Sequence, residues 1–230
     1  YDDVFGAGEL NILNAYHILA KGRQPYSASV EVATLGWDFT TSSSTGTRCY
    51  FFTVPAGQMA NTFSAALTWH RELTASESFY TSSLPDLNLK LYASTAFTPA
   101  ASPVDQSISS VDNVEHLWLR NLPPGQYVLE VTSDTDNHSY ALAWEAQIGT
   151  GPVMFPRRDG GDNVLIDITG LDPFVTYTVE QSETLGSASW SSAGTFRTAD
   201  ITPSTSHTWQ DTGTPYPGAR FYRLKWTSVR

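Results

Sequence analysis

Apolar positions recur along this chain in two rhythms. Between Gly8 and Lys21, the residues Leu10, Leu13, Asn14 and Ile18 return near a period of about 3.6, and Tyr16 and Leu19 widen the apolar stripe. That spacing predicts one short helix over residues 8–21. Lys21 suits its last turn, Gly22 the position after it, and Pro25 stops any continuation. Everything afterwards reads as strands, because short aromatic and β-branched runs alternate with Gly, Pro, Ser and Asp turns. The clearest are Arg48–Val54, Thr62–His70, Leu87–Tyr92, Val114–Arg120, Tyr127–Thr132 and Tyr140–Gln147. A second group follows at Val164–Ile168, Thr176–Gln181, Ala193–Thr198, His207–Gln210 and Phe221–Trp226. Side chains alternate in Tyr127 to Val131, and in Tyr140, Leu142 and Trp144 against Ala141, Ala143 and Glu145. Pro123-Pro124-Gly125 predicts a tight turn between two strands. The Ser/Thr-rich tracts Thr40–Thr47 and Thr74–Ser83 read as surface loops. Many short strands without crossover helices predict an all-β fold: two antiparallel β-sandwich domains, jelly-roll or Ig-like, preceded by one N-terminal helix.

Composition narrows the classes. The 230 residues carry a net charge of −10 with only 16% charged side chains, and 11 Phe, 11 Tyr and 7 Trp furnish cores. A single Cys excludes an intramolecular disulfide framework and a Cys-rich zinc site. The acidic balance argues against nucleic acid and anionic membranes as partners. No apolar run approaches the roughly 20 residues of a membrane span. No signal peptide is visible in a sequence that starts at Tyr1, which reads as a processed product or an excised piece. The charge is unevenly placed: residues 26–151 hold twelve acids and four bases, while 1–25 and 152–230 are each within one charge of neutral. The Gly149-Thr150-Gly151-Pro152 stretch reads as a connection between an acidic domain, 26–151, and a smaller domain, 152–230.

Three segments carry a resemblance. Gly6-Ala7-Gly8-Glu9-Leu10-Asn11 followed by Ala15-Tyr16 resembles the closing turn and final helix of subtilisin-like serine peptidase domains. A dinucleotide-binding glycine turn is excluded there, since Asn11 stands at the third glycine position and no β-α-β pattern follows. The strand Asp86-Leu87-Asn88-Leu89-Lys90-Leu91-Tyr92 and the hairpin Leu122-Pro123-Pro124-Gly125-Gln126-Tyr127 are similar to bacterial pre-peptidase C-terminal domains and convertase P domains. Tyr177 to Glu180, Trp190, Gly194 to Phe196 and Ala219 to Leu224 resemble small C-terminal β-domains of large secreted bacterial proteins. The resemblance implies that residues 1–25 end an upstream peptidase domain. It implies a non-catalytic accessory C-terminal region, secreted or in the cell envelope, that stabilises the peptidase, holds substrate or assists export.

The chemistry legible in the chain agrees with an accessory role. A subtilisin-like nucleophile sits in G-T-S-x-[AS], and Gly46-Thr47-Arg48 breaks that pattern at the nucleophile itself. His17, His70, His116, His138 and His207 have no flanking protease motif, and no H-E-x-x-H spacing occurs. No catalytic residue is therefore assigned. No cofactor is required, and calcium is the metal to weigh, because loop carboxylates and amides supply its oxygens. Asp86, Asn88, Asp112 and Asn113 are the candidate ligands; Asp134, Asp136 and Asn137 begin like a calcium loop but lack its Gly and Glu. Asp/Asn clusters also make ordinary hairpin turns. Of the seven Trp, Trp69, Trp118, Trp144 and Trp226 lie inside apolar strands and are expected in cores. Trp37, Trp190 and Trp209 lie nearer polar loops and are the candidate ligand platforms. A carbohydrate-binding or adhesive module of a cell-surface protein is the alternative function. Cys49, flanked by Tyr50, Phe51 and Phe52, is expected to be a buried inert thiol.

Overall fold

The computed structural model describes residues 11–75, 80–159, 163–172, 175–185, 189–201, 205–212 and 220–227. The Gly6–Gly8 turn, the start of the expected helix and Ala219 lie outside these residues. The chain forms an all-β fold with antiparallel sheets and one short helix. It divides into two compact units, one comprising residues up to 56 and 60–148, the other residues 57–59 and 149 onward.

In the first unit the helix α1 spans Ile12–Lys21. Asn11 caps it by accepting the Asn14 amide at 3.0 Å. Gly22 ends it at φ +87°, a backbone conformation that costs a side chain dearly, and returns its N–H to the Leu19 carbonyl at 3.1 Å. The strands follow in the order β1 Leu35–Thr41, β2 Arg48–Val54, β3 Gln58–Trp69, β4 Glu72–Ala75, β5 Tyr80–Ser83, β6 Leu87–Thr95, β7 Thr98–Pro99, β8 Asp105–Ser107, β9 Val114–Leu122, β10 Gly125–Ser133 and β11 Ser139–Thr150. One sheet has the order β1-β11-β3-β9; another has β2-β10-β6-β7, with β8 also on β6; among the described residues β4 and β5 pair only with each other.

The inward rows of both large sheets meet in one core. Tyr50, Phe52, Leu89, Leu91 and Leu129 come from the five-stranded sheet, and Phe63, Leu67, Leu117, Leu142 and Trp144 from the four-stranded one. Phe52 stacks on Phe63 with ring centroids 5.4 Å apart. Each such side chain contributes about 1.5–3 kcal/mol by leaving water. β2 is apolar on both faces because both are covered. Phe51, on its far face, meets the Phe97 ring at 5.2 Å, and its carbonyl accepts from Val32 N.

Some expectations change here. The tract Thr74–Ser83 is not all loop: Thr74 and Ala75 end β4, and Tyr80 to Ser83 form β5. Thr40 and Thr41 likewise close β1. β1 itself was hidden because its inward positions are Gly36 and Asp38, which break the apolar alternation.

The second unit holds β12 Val153–Arg158, β13 Val164–Thr169, β14 Thr176–Ser182, β15 Ser191–Arg197, β16 Ser206–Gln210 and β17 Phe221–Trp226. They form two three-stranded sheets, β12-β13-β16 and β15-β14-β17. Ile166, Ile168, Leu171, Val175, Tyr177 and Val179 are the buried core, flanked by Phe196, Trp209, Tyr222, Leu224 and Trp226. At Gly194 an added Cβ would lie 2.6 Å from Trp209 Nε1, so the indole's seat requires a glycine.

Candidate functional site

The helix carries the first candidate surface. None of its residues is buried, and Ile12, Leu13, Tyr16 and Leu19 are between 63% and 73% exposed. Its attachment to the unit lies at its C-terminal end. Trp37 Nε1 donates to the Leu19 carbonyl at 3.4 Å, and Gln24 N donates to the Trp37 carbonyl at 2.8 Å. One residue after Gly22, Arg23 pairs with the fully buried Asp38 at 2.7 Å. Sequence period and structure therefore agree on an amphipathic helix; Ile12, Leu13, Tyr16 and Leu19 of its stripe face solvent, while Ile18 is half-buried.

The second surface is the outward face of the four-stranded sheet. Burial alternates along β1, turning Gly36 and Asp38 inward and leaving Trp37 and Phe39 outward. Register then sets Trp37 opposite Ala143 and Phe39 opposite Ala141 on β11. On the far side of the sheet, His116, Trp118 and Arg120 of β9 stand opposite Ala66, Ser64 and Thr62 of β3. Phe39 is 55% and Trp118 40% exposed. The result is a floor of Ala, Ser and Thr with aromatic rings on both edge strands, which are about 14 Å apart at the usual strand spacing.

Trp118 thus departs from its expected place. β9 turns Glu115, Leu117 and Leu119 inward, and the same alternation sends Trp118 out. Trp69 and Trp144 are buried, and Trp226 packs against the second core. The platform candidates Trp37, Trp190 and Trp209 are all partly buried. Trp37 bonds the helix end, Trp190 lies 4.4 Å under the Arg223 guanidinium, and Trp209 leans on Tyr222 at 5.8 Å. Phe39 and Trp118 are the exposed rings that the sequence pattern missed, and only the register could have found them. Cys49 is half-buried, not buried, with Sγ 3.7 Å from Thr47 Oγ1; burial pushes its thiol up.

The acidic candidates cluster around a carboxylate that sequence reasoning passed over. Glu115 is buried on the inward row of β9. It accepts from Ser109 N at 2.6 Å and from the Ser107 hydroxyl. Burial pushes its carboxyl up, and the charges of Asp112 and Asp86 push it further, against the opposing pull of the two serines. Asp112 accepts from Ser109 Oγ at 2.9 Å. Asp86 donates its amide to Asp134 at 3.0 Å, and its own Oδ1 is buried without a hydrogen-bond partner. Asn113 spends its amide on the Trp69 carbonyl at 2.8 Å, and Asn88 stands within β6 opposite Thr132. Among the described residues, no group of three or more His, Cys, Asp or Glu side chains is arranged to hold a metal ion. Asp136, from the calcium-like loop, is occupied by Ser44, which donates both its N–H and its hydroxyl.

A Ser, a His and a Glu also meet near this loop. His138 Nδ1 faces Glu72 Oε1 at 3.0 Å, as an orienting acid would face a catalytic imidazole. Its Nε2, however, bonds the His70 carbonyl at 2.7 Å. Ser42 Oγ donates to the Thr135 carbonyl at 2.6 Å and accepts from the backbone N–H of His138. The hydroxyl is thus engaged with backbone, not with the imidazole. Among the described residues no helix is long and apolar enough to cross a membrane.

No protein-family model matches the chain, and no curated protein matches it. The geometry above is therefore the ground for a functional reading.

Proposed function

We propose that the chain is the non-catalytic accessory C-terminal region of a secreted subtilisin-like serine peptidase, working by docking and packing. The observation that carries this reading is the helix: a capped amphipathic element whose Ile12, Leu13, Tyr16 and Leu19 are largely exposed. An apolar stripe of that kind gains stability from a neighbouring surface. The resemblance of Gly6 to Tyr16 to a peptidase's closing segment supports an upstream catalytic domain as that surface. In this reading the first unit anchors the helix through Trp37 and Arg23, and so couples the acidic domain to the peptidase. The test is to label the full-length gene product with a fluorophosphonate probe and map the adduct by mass spectrometry. Labelling on a serine upstream of Tyr1, with none in residues 1–230, is expected. An unlabelled full-length product, or an adduct within this chain, would overturn the reading.

A second reading, a carbohydrate-binding module, is supported by Phe39 and Trp118 on one sheet face. Apolar sugar faces stack on such rings, and the small Ala, Ser and Thr side chains between them leave room for a glycan. Retention on insoluble neutral polysaccharides that is abolished by Trp118→Ala and Phe39→Ala would favour it; equal elution of wild type and variants would exclude it.

A further inference from the structure

The outward face of the β12-β13-β16 sheet gathers polar side chains beside a cavity. Met154, Ile166 and Ile168 pack into the second core, so the alternation of β12 and β13 sends Phe155, Asp167 and Thr169 outward. Register completes the face. Phe155 stands opposite Asp167, Asp167 opposite Thr208, and Thr169 opposite Ser206. Phe155 is 55% exposed. Asp167, Thr169, Ser206 and Thr208 line a cavity of about 370 Å³, together with Ile201 and His207. That volume falls within the range of small-molecule sites, roughly 300–1,000 Å³.

The hydrogen-bonding roles on this face are set in advance. Arg157 Nε donates to Asp167 Oδ2 at 2.6 Å, and its Nη2 donates to Oδ1 at 3.3 Å. Thr208 Oγ1 donates to the same Oδ1 at 2.7 Å. Arg157 and Thr208 hold the Asp167 carboxyl below its ordinary range, so it stays ionised, and the guanidinium balances its charge. A carboxylate has about four acceptor positions; these bonds fill three and leave one on Oδ2. Thr208 has spent its proton on Asp167, so its oxygen can now only accept. Two neighbouring acceptors call for a ligand with neighbouring donors. The hydroxyls of Thr169 and Ser206 can donate or accept, and so can serve the oxygens of the same ligand groups. Burial lowers the pKa of His207, whose ring lies 4.3 Å from Phe196, and this keeps it uncharged at neutral pH. An ammonium ion would also bring donors, but it would meet the Arg157 guanidinium on the same carboxylate.

We propose that this face of the second unit binds a neutral sugar, whose adjacent hydroxyls donate to Asp167 and Thr208 and accept from Thr169 and Ser206, with the Phe155 ring at the rim for the apolar side of the pyranose. Asp167 and Thr208 are already locked in place, so the sugar has little to order on entering. The site lies in the second unit and is independent of the face that bears Phe39 and Trp118 in the first.

The test titrates the full chain, labelled with nitrogen-15, with the methyl glycosides of glucose, galactose, mannose and N-acetylglucosamine, and with methylammonium as a cationic probe. At least one glycoside is expected to shift the amides of residues 167–169 and 206–208, with a dissociation constant of about 1–10 mM. Methylammonium is expected to leave them in place. Thr208→Val keeps the shape of the side chain and removes its acceptor, so binding is expected to weaken about tenfold. Phe155→Ala changes an exposed ring, and binding is expected to weaken about fivefold. Trp118→Ala is expected to bind as wild type does. Melting curves confirm that each variant is folded. Silence of these amides toward every glycoside at about 50 mM would overturn the proposal, as would shifts from methylammonium in their place. So would wild-type affinity in folded Thr208→Val or Phe155→Ala, or loss of binding in Trp118→Ala.

Discussion

Removing one hydroxyl from the first core tests how its buried polar network is wired. Asp38 is fully buried in β1. Its Oδ1 accepts from Arg23 Nε at 2.7 Å and its Oδ2 from the Tyr50 hydroxyl at 2.9 Å. Tyr50 has one proton to give. Because Asp38 takes it, the Tyr140 hydroxyl, 2.9 Å from that of Tyr50, must donate to the Tyr50 oxygen. Burial holds both phenols well above their ordinary range, which keeps them protonated donors. Tyr50→Phe therefore orphans two buried groups, one Asp38 oxygen and the Tyr140 proton. At about 1–3 kcal/mol for each unsatisfied group, the expected loss is about 3 kcal/mol. Tyr140→Phe removes only the last donor of the chain, and its expected loss is about 1 kcal/mol. The double variant no longer has a Tyr140 hydroxyl to orphan, which leaves one unsatisfied group, so it is expected to lose about 2 kcal/mol, less than the sum of the singles. Urea denaturation reads this out, with Trp144, 5.4 Å from the Tyr50 ring, as the local fluorophore. At a typical slope of about 2 kcal/mol per molar, Tyr50→Phe shifts the midpoint by about 1.5 M. Equal losses in the two single variants, or strict additivity in the double, would refute this wiring.

Two further predictions concern pH and packing. Because burial raises the Glu115 carboxyl, the native state holds that proton more tightly than the unfolded chain does, and this group's contribution to stability falls as pH rises above the ordinary Glu range. Glu115→Gln is accordingly expected to gain on wild type between about pH 4 and pH 7 in paired urea titrations, and a difference independent of pH would contradict the sign. In the second unit, Gly194→Ala drives a Cβ to within 2.6 Å of Trp209 Nε1. The expected cost is about 1–3 kcal/mol, seen as a lower melting temperature of that unit; an unchanged melt would mean the indole has room to move.

The strands that the sequence discloses are those whose inward rows are apolar. Arg48–Val54 and Phe221–Trp226 coincide with β2 and β17 because dense aromatic and aliphatic runs end at turn residues. The strands it conceals lack that contrast. β1 places a carboxylate and a glycine inward, and all four residues of β4 are exposed, so no alternation marks either strand. The same logic governs the sites. Trp118 looks like core by its neighbours Leu117 and Leu119, yet a period of two puts it on the opposite face from both. Glu72 and His138 are 66 positions apart and meet only because β3 and β11 lie side by side in one sheet. No local spacing announces such a pair.

The helix shows the opposite relation. Its amphipathic period is plain in the sequence, and its caps at Asn11 and Gly22 form as helix chemistry requires. What periodicity cannot say is whether the stripe finds a partner. Ten residues is below the length of about 12–15 at which a helix persists alone in water. In this chain it is held by two caps, by Trp37 at its last turn and by the Arg23–Asp38 pair just beyond. All of these secure the C-terminal end or the backbone, and none covers Ile12, Leu13 or Tyr16. Burying those side chains would contribute about 1.5–3 kcal/mol apiece. Most of the free energy available to this element thus lies outside the contacts it makes in the first unit. For that reason the accessory reading rests on the helix more than on either sheet.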